Sequence, residues 1–363
     1  MNFTYFFIRI TIIFLLCGIS GIAFAQTDSI HFSYPEIFSS ALDGNMSVVL
    51  KKIDVDSNLL SLRDRKMKNA FETRFKFQQD KSVYPKRSSA IDSLLLIYKK
   101  YWRNSLLNSA ANYDTLLQLE VNAFLVKHYQ PAKALSKTFD SDSTSHYLKA
   151  YVNSLQLHTT GFGKTGRLID LLVWETQKDT VYSFLVSGET IKAPVMFMEN
   201  FITLGWEEYA TLGKLYPGGW ATKESLYCVK SAYDLSSETF LISYLAHEGR
   251  HFNDYVLFPK LESPDLEYRA KLTELSMAKT TLYTTISFFI ANANQKSEND
   301  HSLANYWVIR DLSKELFKKE FESDITKWKI LSVDKINKAA LKTLEKNTKL
   351  LKKEGKEVSR FIK

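Results

Sequence analysis

The residues best placed to do chemistry are His247-Glu248-Gly249-Arg250-His251. Two histidines four positions apart stand one turn apart on the same face of an α-helix, so both imidazoles can reach one ion. Glu248 follows the first of them and points beside that ion, where its carboxylate can take a proton from a metal-bound water. Zinc suits such a pair, because it accepts imidazole nitrogen and keeps a position open for water. Its charge brings the pKa of that water toward about 7, which makes a nucleophile at neutral pH. The chemistry implied is metal-assisted hydrolysis, and it needs a third ligand from another element.

The elements that must position these groups can be read outward from them. Ser236 or Ser237 caps a helix start with Glu238 in its first turn, and apolar residues recur at Phe240, Leu241, Tyr244, Leu245, Phe252 and Tyr255 until Pro259 stops the run. Glu224 to Tyr233 reads as a preceding strand, with Leu226, Cys228 and Val229 turned inward. Ser263-Pro264-Asp265 begins a second helix, with a cap residue, a first-turn proline and an early acid. The loop from Pro259 to Glu262 turns the chain, so this helix runs back past the first. Glu267 and Glu274 share one of its faces, and Ala270 between them permits close approach. Glu267 is taken as the third ligand and Glu274 as its rival, which would instead orient a histidine through its free ring nitrogen. Glu262 lies in the loop. Asp254, three residues after His251, is a further partner for the ligand face.

His247-Glu-x-x-His251 followed by Glu267-Tyr-Arg-Ala270 resembles the gluzincin branch of zincin-fold metallopeptidases, over about residues 222–280. In that family a glutamate on the following helix completes the zinc site, often with a small residue three positions later. The resemblance implies a zincin-like core of a small sheet and two antiparallel helices, a zinc ion, and hydrolysis of peptide bonds in a peptide or protein substrate. The metzincin arrangement does not apply, since its third-ligand position is Leu257. A donor to the developing oxyanion is also required, and His301, Tyr306 and Tyr255 are the candidates.

Beyond this stretch, residues 1–25 read as an export signal: Arg9, an apolar run from Ile10 to Leu16, and Ala23-Phe24-Ala25 before a cleavage point at Gln26. The expected destination is periplasmic or extracellular. Leu16 before Cys17 argues against lipidation there. Removal of the signal leaves Cys228 alone, so no intrachain disulfide can form, and Cys228 reads as a strand core residue. The formal charge is +8, but residues 331–363 carry ten Lys or Arg against four acids, so the rest is close to neutral and a nucleic-acid function has no support. That tail, apolar at Ile336, Ala340, Leu344, Leu351 and Val358, reads as a docked amphipathic helix with a solvated basic face; contact of that face with anionic lipid is the alternative.

Residues 26–155 read as a helical N-terminal region, with helices over Ser88–Leu107 and Leu116–Tyr129 and a polar loop at Asp140–Ser145. Residues 156–295 read as the catalytic core, with Thr180–Val186 a strand, Gly161–Gly166 a glycine-rich turn and Pro217-Gly218-Gly219 a loop. Residues 296–363 form a C-terminal helical region. The fold class is α+β, mainly helical. His31, His128, His146 and His158 are scattered singly and read as ordinary surface or core residues. The functional expectation is a secreted zinc metallopeptidase, the alternatives being a zincin-fold protein that binds zinc without turnover and a non-peptidase metallohydrolase.

Overall fold

In the computed structural model the described residues are 31–78, 89–136, 140–186, 189–297, 299–360 and 362. The export segment, its cleavage point at Gln26 and Cys17 lie outside them. The chain is mixed α+β and 59% helical, with a small curled sheet. No helix among the described residues is long and apolar enough to cross a membrane.

Two compact units divide the contacts, and each is discontinuous in sequence. One holds Gln177–Met198 and Gly218–Lys363; the other holds the described residues up to Thr176 together with Glu199–Pro217. The second unit contains helices α1 (Tyr34–Leu42), α2 (Met46–Lys52), α3 (Leu62–Phe71), α4 (Ser89–Leu107), α5 (Asp114–His128) and α6 (Ser141–Ser154). After them come β1 (His158–Thr159), the hairpin β2 (Gly163–Thr165) and β3 (Leu168–Asp170), and, past the long strands β4 (Leu172–Val186) and β5 (Glu189–Leu204), the short helix α7 (Trp206–Ala210). The glycine-rich turn is thus the approach to a hairpin. Asp140–Ser145 is not a loop: the Asp140 carboxylate accepts from the Ser143 N–H at 2.7 Å and caps α6. A polar Ser/Asp run is what a helix N-terminus requires, so the same residues that read as a turn begin a helix.

The first unit contains the remaining elements: β6 (Gly219–Ala221), β7 (Leu226–Val229), α8 (His247–Leu257), α9 (Ser263–Met277), α10 (Leu282–Ala291), α11 (Asp300–Phe317), α12 (Ile325–Ile330) and α13 (Val333–Glu354). The five-stranded sheet has the order β1-β4-β5-β7-β6. β5 and β7 are parallel, with Val195 opposite Leu226 and Phe197 opposite Cys228, and β6 lies antiparallel to β7. Alternate residues of β5, Ile191, Ala193, Val195 and Phe197, are buried on one face against Phe240, Tyr244 and Leu245. Cys228 is buried in the same cluster as a free thiol, and burial pushes its pKa up.

α9 is the axis of this unit. It is buried from Pro264 to Leu275 and packs against α8, α11 and α13. A helix buried all round has no solvated face, yet α9 carries Asp265, Glu267, Arg269, Lys271 and Glu274. Each must therefore find a partner inside. Arg269 binds both oxygens of Asp254 on α8, at 2.7 and 2.9 Å, and reaches Asn347 and Thr348 on α13 at 2.7 and 2.9 Å. Asp254 is thus held by an arginine rather than turned to the histidines. The C-terminal helix docks as its pattern indicates, with Ile336, Ala340, Leu344 and Leu351 buried; Val358 falls beyond its end, after Gly355, and packs near Leu351.

Candidate metal centre

The local fold that presents the two histidines is unusual. Thr239–Ala246 is π-helical and runs directly into the regular turns of α8 at His247. Such π-helical turns inside helices often mark functional sites, because they rotate the following side chains relative to the preceding ones. The start is capped as the sequence indicates, by Ser237, whose hydroxyl accepts from the Phe240 N–H at 3.1 Å. Glu238 does not serve its own helix. Its carboxylate crosses to the start of α10, where it accepts from the N–H groups of Lys279, Thr280 and Thr281 and from both threonine hydroxyls.

Gly249 has a steric reason. A Cβ there would stand 2.1 Å from Cζ of Phe184 on β4, so any other residue requires the ring to move from its place against α8. Gly219 is similarly constrained on β6, where a Cβ would meet the Tyr227 carbonyl oxygen at 2.3 Å. Arg250 also faces inward, with Glu189 accepting from it at 3.1 Å and the Thr273 hydroxyl at 3.3 Å.

His247, His251 and Glu267 come together, with one ligand atom from each lying within 4.8 Å of the others. Nε2 of His251 is 3.3 Å from Oε1 of Glu267, and Nε2 of His247 is 3.5 Å from Oε2. The other ring nitrogen of His247, Nδ1, faces Glu274 Oε2 at 3.6 Å. Pairing 247 with 274 and 251 with 267 makes α8 and α9 antiparallel. Glu267 thus stands with the histidines, and Glu274 stands behind His247. Of the oxyanion-donor candidates, His301 is brought in, its Nδ1 2.9 Å from Glu267 Oε2 and its side chain 34% exposed. Tyr255, one turn beyond His251 on α8, has a buried hydroxyl without a hydrogen bond. Tyr306 is elsewhere, stacked on Phe321 with centroids 5.5 Å apart.

Burial and charge act against each other here. Burial alone would depress His247, but the facing carboxylates of Glu267 and Glu274 outweigh it and raise its pKa to about 9. His251 is lowered, chiefly by burial. Burial would raise Glu267, yet His301, His247 and His251 hold it well below the usual carboxylate range. Glu274 is likewise lowered despite burial, mainly by His247. Glu248 behaves oppositely. Burial, reinforced by the negative charge of Glu267, lifts it to about 8, against the pull of His247 and of the Ala221 N–H. Burial also raises the Tyr255 phenol, with Glu248 and Glu267 adding to the effect.

The donor set fits a divalent cation. Both ring nitrogens of His247 and His251, and both oxygens of Glu248 and Glu267, are buried without a well-formed hydrogen bond. The contacts among them are either 3.3 Å or longer or, for His301 and Glu267, misaligned. Buried polar atoms left so are costly, and an ion accepting two imidazoles and a carboxylate supplies the missing partner. Sequence reading missed Lys271, Arg250 and the Ala221 amide. Neither cation has a type or spacing that metal ligation demands, and a backbone N–H carries no sequence signal.

No family model, no curated protein and no solved structure matches the chain in comparison.

Proposed function

We propose that this chain is an exported zinc-dependent metallopeptidase with a gluzincin-like, zincin-type core, acting on peptide or protein substrates. His247, His251 and Glu267 would hold the ion, and Glu248 is the general base. The observation that carries the reading is the buried His-His-Glu cluster with orphaned donor atoms, beside a carboxylate that burial leaves basic. A zinc ion held there supplies Lewis acidity, polarising a carbonyl and making water acidic near pH 7. Glu248 would take the proton of the attacking water and return it to the leaving amine. β6 ends the strand order, and the Ala221 N–H on it faces Glu248, so an extended peptide laid along this edge passes the base. His301 and Tyr255 are the donors available to a developing oxyanion, and Glu274 orients His247 through its second nitrogen.

A second reading, zinc binding without turnover, is favoured by one observation. His247, Glu248, His251 and Glu267 are each at most 2% exposed, which suits a closed structural site better than an open catalytic one.

Metal analysis of the purified mature protein, paired with a peptide-library digest, tests both. The expected outcome is about one zinc per chain, with cleavage abolished by a chelator and restored by zinc. Stoichiometric zinc with no cleavage selects the second reading, and protein that takes up no zinc removes both. Export is tested separately: N-terminal sequencing of the exported protein should begin at Gln26, and an intact Met1 or a lipid on Cys17 would overturn it.

A further inference from the structure

Lys271 is a lysine where lysines are seldom found. It lies on α9 one turn after Glu267, its side chain is 5% exposed, and its ammonium is 3.8 Å from Glu267 Oε2. It sits 4.6 Å over the ring of Phe289 on α10, a cation–π contact. Glu274, three residues on, also feels this charge. From α11, His301 approaches the same oxygen of Glu267, and from α8 so does His247. Glu267 therefore has two sides. Oε1 faces His251, while Oε2 is shared among His247, His301 and Lys271.

A cation this close to a metal ligand works against a metal ion, because like charges repel strongly away from bulk water. A lysine placed only for packing would gain nothing from that position, and a methionine would fill the space at no electrostatic cost. What the charge does supply is a further counter-ion, beside His247, for the buried carboxylates of Glu267 and Glu274.

We propose that Lys271 is a built-in competitor for the metal: it compensates Glu267 and Glu274 when no ion is bound, so the metal-free protein stays folded, and it weakens the affinity of the site for a divalent cation. It is a positioning residue, acting through Glu267 rather than on a substrate. The inference rests on the metal reading above for its affinity half only; the compensation of Glu267 stands without it.

The test uses the full mature chain with zinc alone, in Lys271→Met, Lys271→Arg, Glu267→Gln and the Lys271→Met/Glu267→Gln double variant. Zinc affinity is measured by competition with a chromophoric chelator, and thermal melting is measured on chelator-stripped and zinc-loaded protein. Lys271→Met should bind zinc at least tenfold more tightly than wild type, and Lys271→Arg should stay within about threefold. Stripped Lys271→Met should melt several degrees lower, with most of that loss recovered in the zinc-loaded form and in the stripped double variant. A merely structural lysine would lower both forms equally and leave affinity unchanged, which overturns the proposal, as does weaker zinc binding by Lys271→Met. Should wild type bind no zinc, the functional reading falls, while the melts of the stripped variants still decide the role of Lys271.

Discussion

The ring of Phe184 fills the place where a Cβ on Gly249 would stand, 2.1 Å from its Cζ. This contact locks β4 of the sheet onto the helix that carries both histidines. Gly249→Ala should therefore destabilise the wild-type chain by about 1–3 kcal/mol through overpacking. In a Phe184→Ala background the same change should stabilise by up to about 1 kcal/mol, because alanine is the better helix former. Denaturant melts of the four proteins check the sign reversal. An equal effect of Gly249→Ala in both backgrounds would show that the ring is not the obstacle.

Arg269 and Asp254 form a fully buried bidentate pair between α9 and α8. Breaking it from the arginine side leaves Asp254 with only the longer contact to Arg250 at 3.7 Å, so Arg269→Met should cost about 3 kcal/mol. Asp254→Leu together with Arg269→Met removes both charges and should recover most of that loss. Urea unfolding of the single and double variants reads the difference.

These two contacts mark where sequence reading runs out. His247, Glu248 and His251 are legible because metal ligation and base chemistry demand fixed types at fixed spacing, and Glu267 is legible because a capped helix start sets its phase. The burial of Arg269 and Lys271 is not legible. Charged residues at every second or third position of α9 read as a solvated face, and only the surrounding α8, α11 and α13 close that face off. β5 was hidden for a local reason. Pro194 lacks the N–H a strand ladder needs, and a proline within a run argues against a long strand when neighbours are unknown. α6 was hidden because a cap and a loop share the same polar residues.

Glu238 gives a pH-dependent test away from the His-His-Glu cluster. Its carboxylate accepts N–H groups at the start of α10, and although burial would raise it, the hydrogen bonds from Thr280, Lys279 and Thr281 hold its pKa at about 2 instead of 4.5. The folded state thus favours the ionised form. The stability this contributes is present above about pH 4.5 and is lost as pH falls through about 2. Glu238→Gln should melt below wild type at pH 7, and the gap should narrow progressively between pH 4.5 and 2. A gap that stays constant over that range would mean the charge contributes nothing.

Variants of Glu248, Glu267 and Glu274 test the proposed roles of base, ligand and orienting group. Glu248 stands beside the cluster with the Ala221 N–H facing it, so Glu248→Gln keeps shape while removing the carboxylate. Zinc content should stay near wild type, and hydrolysis should fall by about 10²–10⁴. Glu267→Gln replaces the carboxylate nearest both histidines by a poor ligand, so zinc affinity and activity should fall together. Glu274→Gln acts through His247 Nδ1 and should lower zinc affinity by about 10–100-fold, less than the Glu267 variant. Chelator competition gives the three affinities and a quenched-peptide assay gives the rates. If Glu274→Gln loses zinc while Glu267→Gln keeps it, the ligand and orienting roles are exchanged. If Glu248→Gln retains full hydrolysis, another group carries the proton, and Tyr255 and His301, the remaining donors brought to the cluster, are the ones to replace next.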